Sequence, residues 1–145
     1  MHTKRLGNIG ELKALATFAQ YEIPVFIPYG EAERVDFIAD FNNKLNRIQV
    51  KSTANIIDGV LKFGLRSTAV NTTTAKANIY TSEEIDYFVL YCLENDELYI
   101  ISIDEAPATQ IMLRTVPPNS NQIAGVRYAK DYSLHQFLKN LQQEE

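Results

Sequence analysis

The sequence predicts an α/β fold of the α+β kind, a β-sheet with a helix at each end of the chain. Three observations carry this. Residues 34–53 alternate apolar and polar side chains through two runs separated by Asn42 and Asn43, the pattern of a half-buried hairpin. Residues 86–103 form a second pair of runs, more apolar and rich in β-branched and aromatic residues, about Asn95 and Asp96. Residues 8–21 and 133–142 place apolar side chains at helical spacing.

In chain order, residues 8–21 read as a helix with Asn8 at its N-cap, Leu12, Leu15, Ala16, Phe18 and Ala19 as apolar positions, and Glu11 in the first turn. A carboxylate there suits the helix dipole. Glu11 also stands one turn before Leu15 and Phe18, beside the apolar stripe, where an unpaired carboxylate is costly. Residues 25–27 form a short strand between Pro24 and Pro28. In the hairpin, Val35, Phe37, Ala39 and Phe41 share one face, with Ile48 and Val50 as the apolar set of the second run. A tight turn at Asn42 and Asn43 sets Asp36 opposite Gln49, with Lys51 two residues along the same polar face. Residues 59–66 alternate enough for a third antiparallel strand. Residues 70–80, rich in Thr and Asn, read as an exposed loop, and residues 82–85 as a short helical turn. Residues 86–93 and 97–103 are core strands, 111–116 a further strand, 117–122 a loop, and 133–142 an amphipathic helix with Leu134, Phe137, Leu138 and Leu141 inward.

At 145 residues and 46% apolar composition, the chain fits one domain, residues 1–145, with a core sufficient without crosslinks. The single cysteine, Cys92, lies in an apolar run and reads as a buried side chain rather than a nucleophile. With no possible disulfide framework, no apolar run near the ~20 residues that span a bilayer and no signal-peptide pattern in residues 1–10, the expectation is a cytoplasmic protein. A net charge of −4 argues alone against nucleic-acid binding. The charges are segregated, however. Lys44, Arg47, Lys51, Lys62, Arg66 and Lys76 face only Asp58 within residues 44–76, whereas residues 83–105 hold eight acids and no Lys or Arg. One side of such a molecule can meet a polyanion while the total charge stays negative.

A helix bearing Glu11, a hairpin bearing Asp36 and Gln49-Val50-Lys51, mixed strands and a last helix resemble the PD-(D/E)xK nuclease family. The matching residues are Gly10-Glu11-Leu12-Lys13-Ala14, Val35-Asp36-Phe37 and Ile48-Gln49-Val50-Lys51-Ser52. The sequence is similar in particular to the branch of bacterial homing endonucleases encoded in cyanobacterial group I introns. The resemblance implies a restriction-endonuclease-like fold, a mixed central β-sheet flanked by helices, and a site-specific double-strand DNA endonuclease. It implies Glu11, Asp36, Gln49 and Lys51 as catalytic residues, and Mg²⁺, replaceable by Mn²⁺, on Asp36, Glu11 and the carbonyl of Val50.

Phosphodiester hydrolysis gathers negative charge on phosphate oxygens, and a hard cation held by carboxylates stabilises it while lowering the pKa of an attacking water. Lys51 adds a positive charge at the same place. Gln49 departs from the family, which more often has an acid there; an amide ligates only through its carbonyl oxygen. Two alternatives follow: a structure-selective resolvase of branched DNA, and a non-catalytic DNA-binding protein with a degenerate nuclease site. One hydrolytic site per chain calls for a homo-oligomer, dimer or tetramer, to cut both strands. Lys62, Arg66, Arg114 and Arg127 are the candidates for DNA contact.

Overall fold

The first hairpin forms as its alternation dictates. In the computed structural model, which describes residues 1–30, 34–67 and 78–143, β1 (Val25–Phe26) is followed by β2 (Phe37–Phe41) and β3 (Lys44–Thr53). β2 and β3 pair antiparallel from Phe37 opposite Ile48 to Phe41 opposite Lys44. Asn42 and Asn43 both take positive φ, 56° and 57°, the two-residue geometry whose twist matches the flanking strands. Phe37, Ala39, Phe41, Ile48 and Val50 are buried on one face. Asn46 breaks the alternation: its buried amide donates to the carbonyls of Ala39, Phe41 and Lys44 at 3.3, 3.0 and 2.9 Å, fastening the hairpin end from inside.

β3 is longer than β2, and its far half pairs parallel with β6 (Tyr87–Cys92), Ile48 through Thr53 against Tyr87 through Cys92. β6 pairs antiparallel with β7 (Glu97–Ser102), the second hairpin expected from the sequence. The resulting five-stranded sheet has the order β1-β2-β3-β6-β7 and is mixed, with helices on one face. Between β3 and β6 the chain builds β4 (Ile56–Ile57) and β5 (Val60–Gly64), and these join β8 (Gln110–Arg114) in a separate antiparallel sheet. The strand expected over residues 59–66 therefore exists but does not extend the first hairpin. Leu61, Phe63 and Leu65 are fully buried and pack on Phe88, Leu90, Tyr99 and Ile101, the apolar outer face of β6 and β7. The matching face of β3 offers Gln49 and Lys51, which give an apolar sheet nothing to cover.

Helix α1 spans Thr3–Gln20, with His2 as N-cap, its Nδ1 accepting from the Lys4 N–H at 3.1 Å. It starts nearly two turns before the expected Asn8, so Glu11 lies mid-helix and the dipole does not explain it. The buried face is also rotated from the expected one: Leu6, Gly10, Ala14, Thr17 and Phe18 point inward, while Leu12 is 65% exposed. Small residues there let the helix lie close on β3 and β6. Helix α2 (Leu134–Gln143) follows a 3₁₀ turn at Ala129–Tyr132, starts from the Ser133 hydroxyl, which accepts from Gln136 N–H, and buries Leu134 and Leu138 as expected. Cys92 is buried in the core between the sheets. Residues 70–77 of the expected loop lie outside the described residues, but Tyr80, placed at its end, is buried rather than exposed. Among the described residues no helix is long and apolar enough to cross a membrane.

Candidate active site

β2 begins at Phe37, so the stretch of β3 beyond Ile48 is paired by β6 on one side and open on the other. A cleft of about 790 Å³ forms at this opening, and Glu11, Asp36, Gln49, Val50, Lys51 and Arg66 line it. The hairpin register carries Asp36, Gln49 and Lys51 to one place, as the alternation predicts, and α1 brings Glu11 across the opening. The structure thus assembles all four residues expected to be catalytic and the Val50 backbone with them.

Asp36 anchors itself through one bond: Oδ2 accepts from the N–H of Val50 at 2.8 Å. Burial pushes its carboxyl above the usual aspartate range, and that N–H and the Lys51 ammonium only partly offset the burial. The Glu11 carboxyl is pushed up as well, first by burial and then by the negative charge of Asp36. Among the described residues Glu11 takes no hydrogen bond and no ion pair. Two crowded, desolvated carboxylates without a cation of their own fit a hard divalent metal. Among the described residues no three His, Cys, Asp or Glu side chains converge, so any further donors to a metal here would have to be neutral oxygens, such as those of Gln49 and Val50, which line the same cleft.

Lys51 is held from the opposite side. Its Nζ donates to the carbonyl of Arg66 at 2.7 Å and lies 5.0 Å from the centre of the Tyr80 ring. The guanidinium of Arg34 stands over the same ring at 4.9 Å and is itself fixed by Glu84, donating to both carboxylate oxygens at 2.8 Å. Burial lowers the pKa of Lys51, Asp36 opposes that, and Arg34 adds to it. A lysine so desolvated exchanges a proton more readily than a solvated one.

The sequence reading did not single out Tyr80, Arg34 or Lys4. Tyr80 follows a long polar stretch, and the only local signal is the apolar pair Ile79 and Tyr80 that ends it. Lys4 lines the cleft from the first turn of α1; recognising His2 as the cap would have found it. Of the candidates for DNA contact, Arg66 lines the cleft. Lys62 is exposed on β5 across from Met112. Arg114 donates from Nε to the Val116 carbonyl at 3.0 Å, and Arg127 from Nη2 to that of Glu105 at 3.3 Å. These three are not among the residues lining the cleft.

A family model described as PD-(D/E)XK endonuclease matches residues 1–135. Among solved structures, that of a bacterial homing endonuclease, I-Ssp6803I, matches with a TM-score of 0.71 at 23% identity, covering 100% of this chain and 99% of the other. That likeness bears on the fold, and it agrees with the mixed sheet flanked by helices. No curated protein matches.

Proposed function

This chain belongs to the PD-(D/E)XK endonuclease family and is a DNA endonuclease, and from that premise we propose that it cuts both strands of a duplex at a defined site with Mg²⁺ as cofactor. The observation that carries the proposal is the pairing of Glu11 with Asp36. Both carboxyls are pushed up in the same cleft, next to a lysine whose pKa is pushed down. Nuclease families of this kind are generally dependent on divalent metals.

In this reading Asp36, Glu11 and the Val50 carbonyl would hold the metal, and the Gln49 amide would position a water or add its carbonyl oxygen as a further donor. When bound, Mg²⁺ polarises the phosphate and lowers the pKa of the attacking water. Lys51 offsets charge on the phosphoryl oxygens and holds the water by hydrogen bonding. Asp36 keeps its orientation through the Val50 N–H, so the carboxylate is set before any ligand arrives. Residues 1–145 act as one nuclease domain, and two copies related by a two-fold axis place one site on each strand. A dimer suffices and a tetramer of two dimers meets the same need. Site specificity of the homing type is a proposal from the likeness to the bacterial homing endonuclease, and the DNA is met inside the cell, in the nucleoid. Lys62, Arg66, Arg114 and Arg127 are proposed phosphate or base contacts.

The test is cleavage of the duplex that flanks the encoding gene, with the gene's own insertion removed, in the presence and absence of Mg²⁺. Cutting at one position, lost in Asp36→Asn and Lys51→Ala while DNA binding survives, is the expected result. Cutting unchanged in both variants overturns the site assignment. A wild-type chain that binds this duplex but cuts with neither Mg²⁺ nor Mn²⁺ overturns catalysis. Preference for a four-way junction over the linear duplex overturns site specificity.

A further inference from the structure

The geometry points to Gly10 and Ser52 as the contact that sets the spacing between Glu11 and Asp36, and hence whether the two carboxylates can share one cation. This rests on the reading of Glu11 and Asp36 as metal ligands.

Gly10 immediately precedes Glu11 on α1, and Ser52 immediately follows Lys51 on β3. A glycine inside a helix costs about 1 kcal/mol relative to alanine, and α1 carries two of them, Gly7 and Gly10. They differ in surroundings. A Cβ added at Gly7 meets nothing within 4 Å, whereas one added at Gly10 would stand 2.1 Å from the Ser52 Oγ, 3.2 Å from Cβ of Tyr91 and 3.4 Å from Cβ of Ser52. The first of these distances requires a shift, either of the Ser52 hydroxyl about its χ1 or of the helix against the strand, and the contacts with Cβ of Tyr91 and of Ser52, which no side-chain rotation relieves, favour the second. Gly10 is therefore a close approach of α1 to β3, one residue from the carboxylate that must reach across the open edge.

Ser52 is the second half of the argument. Its Oγ is buried and has no hydrogen-bond partner, an arrangement that costs free energy rather than supplying it. A serine kept in that state is not there for a hydrogen bond. It fills the space that Gly10 leaves, and together they act as a stop that fixes how far α1 can approach. Both are positioning residues: Gly10 acts through Glu11, and Ser52, which borders the cleft with its Oγ buried, acts through its contact with α1. Because α1 is a rigid rod at this scale, a shift at residue 10 is passed on to Glu11 nearly in full.

The test measures Mn²⁺ binding to the full chain without DNA, by electron paramagnetic resonance of free Mn²⁺, alongside thermal melting. Gly10→Ala weakens Mn²⁺ binding about tenfold or more, the range seen when groups behind a metal ligand are disturbed. Adding Ser52→Ala to it removes the 2.1 Å conflict and restores affinity to within about threefold of wild type. Gly7→Ala raises the melting temperature through helix propensity and leaves Mn²⁺ affinity unchanged. If Gly10→Ala alone does not fold, Ser52→Cys tests the same contact from the strand side with a larger atom, and it weakens Mn²⁺ binding in the same direction. Wild-type affinity in folded Gly10→Ala, or in Ser52→Cys, overturns the inference. So does a folded double variant that stays as weak as Gly10→Ala. A wild-type chain that takes up no Mn²⁺ overturns the metal reading and the inference with it, a result distinct from the other two.

Discussion

Asp36 and Asp86 occupy matching places in the sheet. Each immediately precedes a strand that flanks β3, and each hands Oδ2 to a backbone N–H of β3, that of Val50 for Asp36 and that of Arg47 for Asp86, both at 2.8 Å. Beyond that shared anchor they diverge. Asp86 also accepts from Arg47 Nε at 3.0 Å, Arg47 Nη2 at 3.1 Å and Lys44 Nζ at 3.1 Å. Burial pushes its carboxyl up, but these bonds outweigh it and bring the pKa down to about 2. Asp36 has no such surplus. The Lys51 ammonium, whose charge favours the Asp36 carboxylate, donates to the Arg66 carbonyl, and Glu11, of the same sign as Asp36, shares the cleft. One carboxylate is neutralised by its own chain and the other is not, which under the proposed function is the difference between a structural acid and a metal ligand.

The largest expected contrast is in cleavage. Asp36→Asn lowers the rate by on the order of 10³-fold, the loss of several kcal/mol of transition-state stabilisation when a ligand of the metal is removed. Asp86→Asn leaves the rate within a few-fold of wild type. Single-turnover assays on the same duplex measure both, and equal losses in the two variants would remove the distinction drawn between the acids.

Stability reverses the order. Asp86→Asn replaces charged hydrogen bonds with weaker ones and costs about 1–3 kcal/mol in a urea melt. Asp36→Asn removes a desolvated charge and leaves stability unchanged or higher, as long as no divalent metal is present. The pH dependence follows from the same directions. The Asp86 carboxyl lies lower in the folded chain than in the unfolded one, so its contribution is complete above the ordinary aspartate pKa, near 3.8, and is lost as pH falls toward about 2. Asp36 and Glu11 lie higher when folded, so between their unfolded and folded values the native state binds more protons, and stability falls as pH rises. Asp86→Asn should therefore flatten the acid limb of the stability curve, and Asp36→Asn should steepen it. Urea midpoints taken across that pH range check both signs; parallel curves for the two variants would show that the acids are not opposed.

The polar side of this contrast was legible in the sequence because a hairpin with period-two alternation and an Asn-Asn turn has one sensible register. Asp36, Gln49 and Lys51 followed from that, and Glu11 from its place in a motif. Asp86 was recognised only as part of an acidic segment, since its partners Arg47 and Lys44 are some forty residues away and meet it through the parallel pairing of β3 with β6. Parallel pairing leaves no turn signal in the sequence. The second sheet escaped because β5 and β8, although antiparallel, pair across about fifty residues, with no turn between them to signal it. The start of α1 was misjudged because His2 is not among the usual capping residues, and its inward face because Gly10, Ala14 and Thr17 carry little apolar weight in a periodicity count.

Gln49→Glu sharpens the comparison from the other side, with the smallest effect. It adds a third carboxylate where the fold now gathers two, and ligand charge count is a main determinant of divalent-metal affinity. Mn²⁺ affinity should rise by about tenfold. Without metal the same variant should be less stable than wild type, because a further negative charge enters a site where Asp36 already raises Glu11. With saturating Mn²⁺ the ranking should invert, since a ligand that binds only the folded chain stabilises it in proportion to the logarithm of its excess over Kd. Asp86→Asn, tested in parallel, should show no such inversion. The crossing of the two melting curves for Gln49→Glu, with and without Mn²⁺, is the signature of a site whose negative charge is intended for a cation. A Gln49→Glu chain that is destabilised equally in both conditions would mean that the side chain at position 49 does not reach the metal.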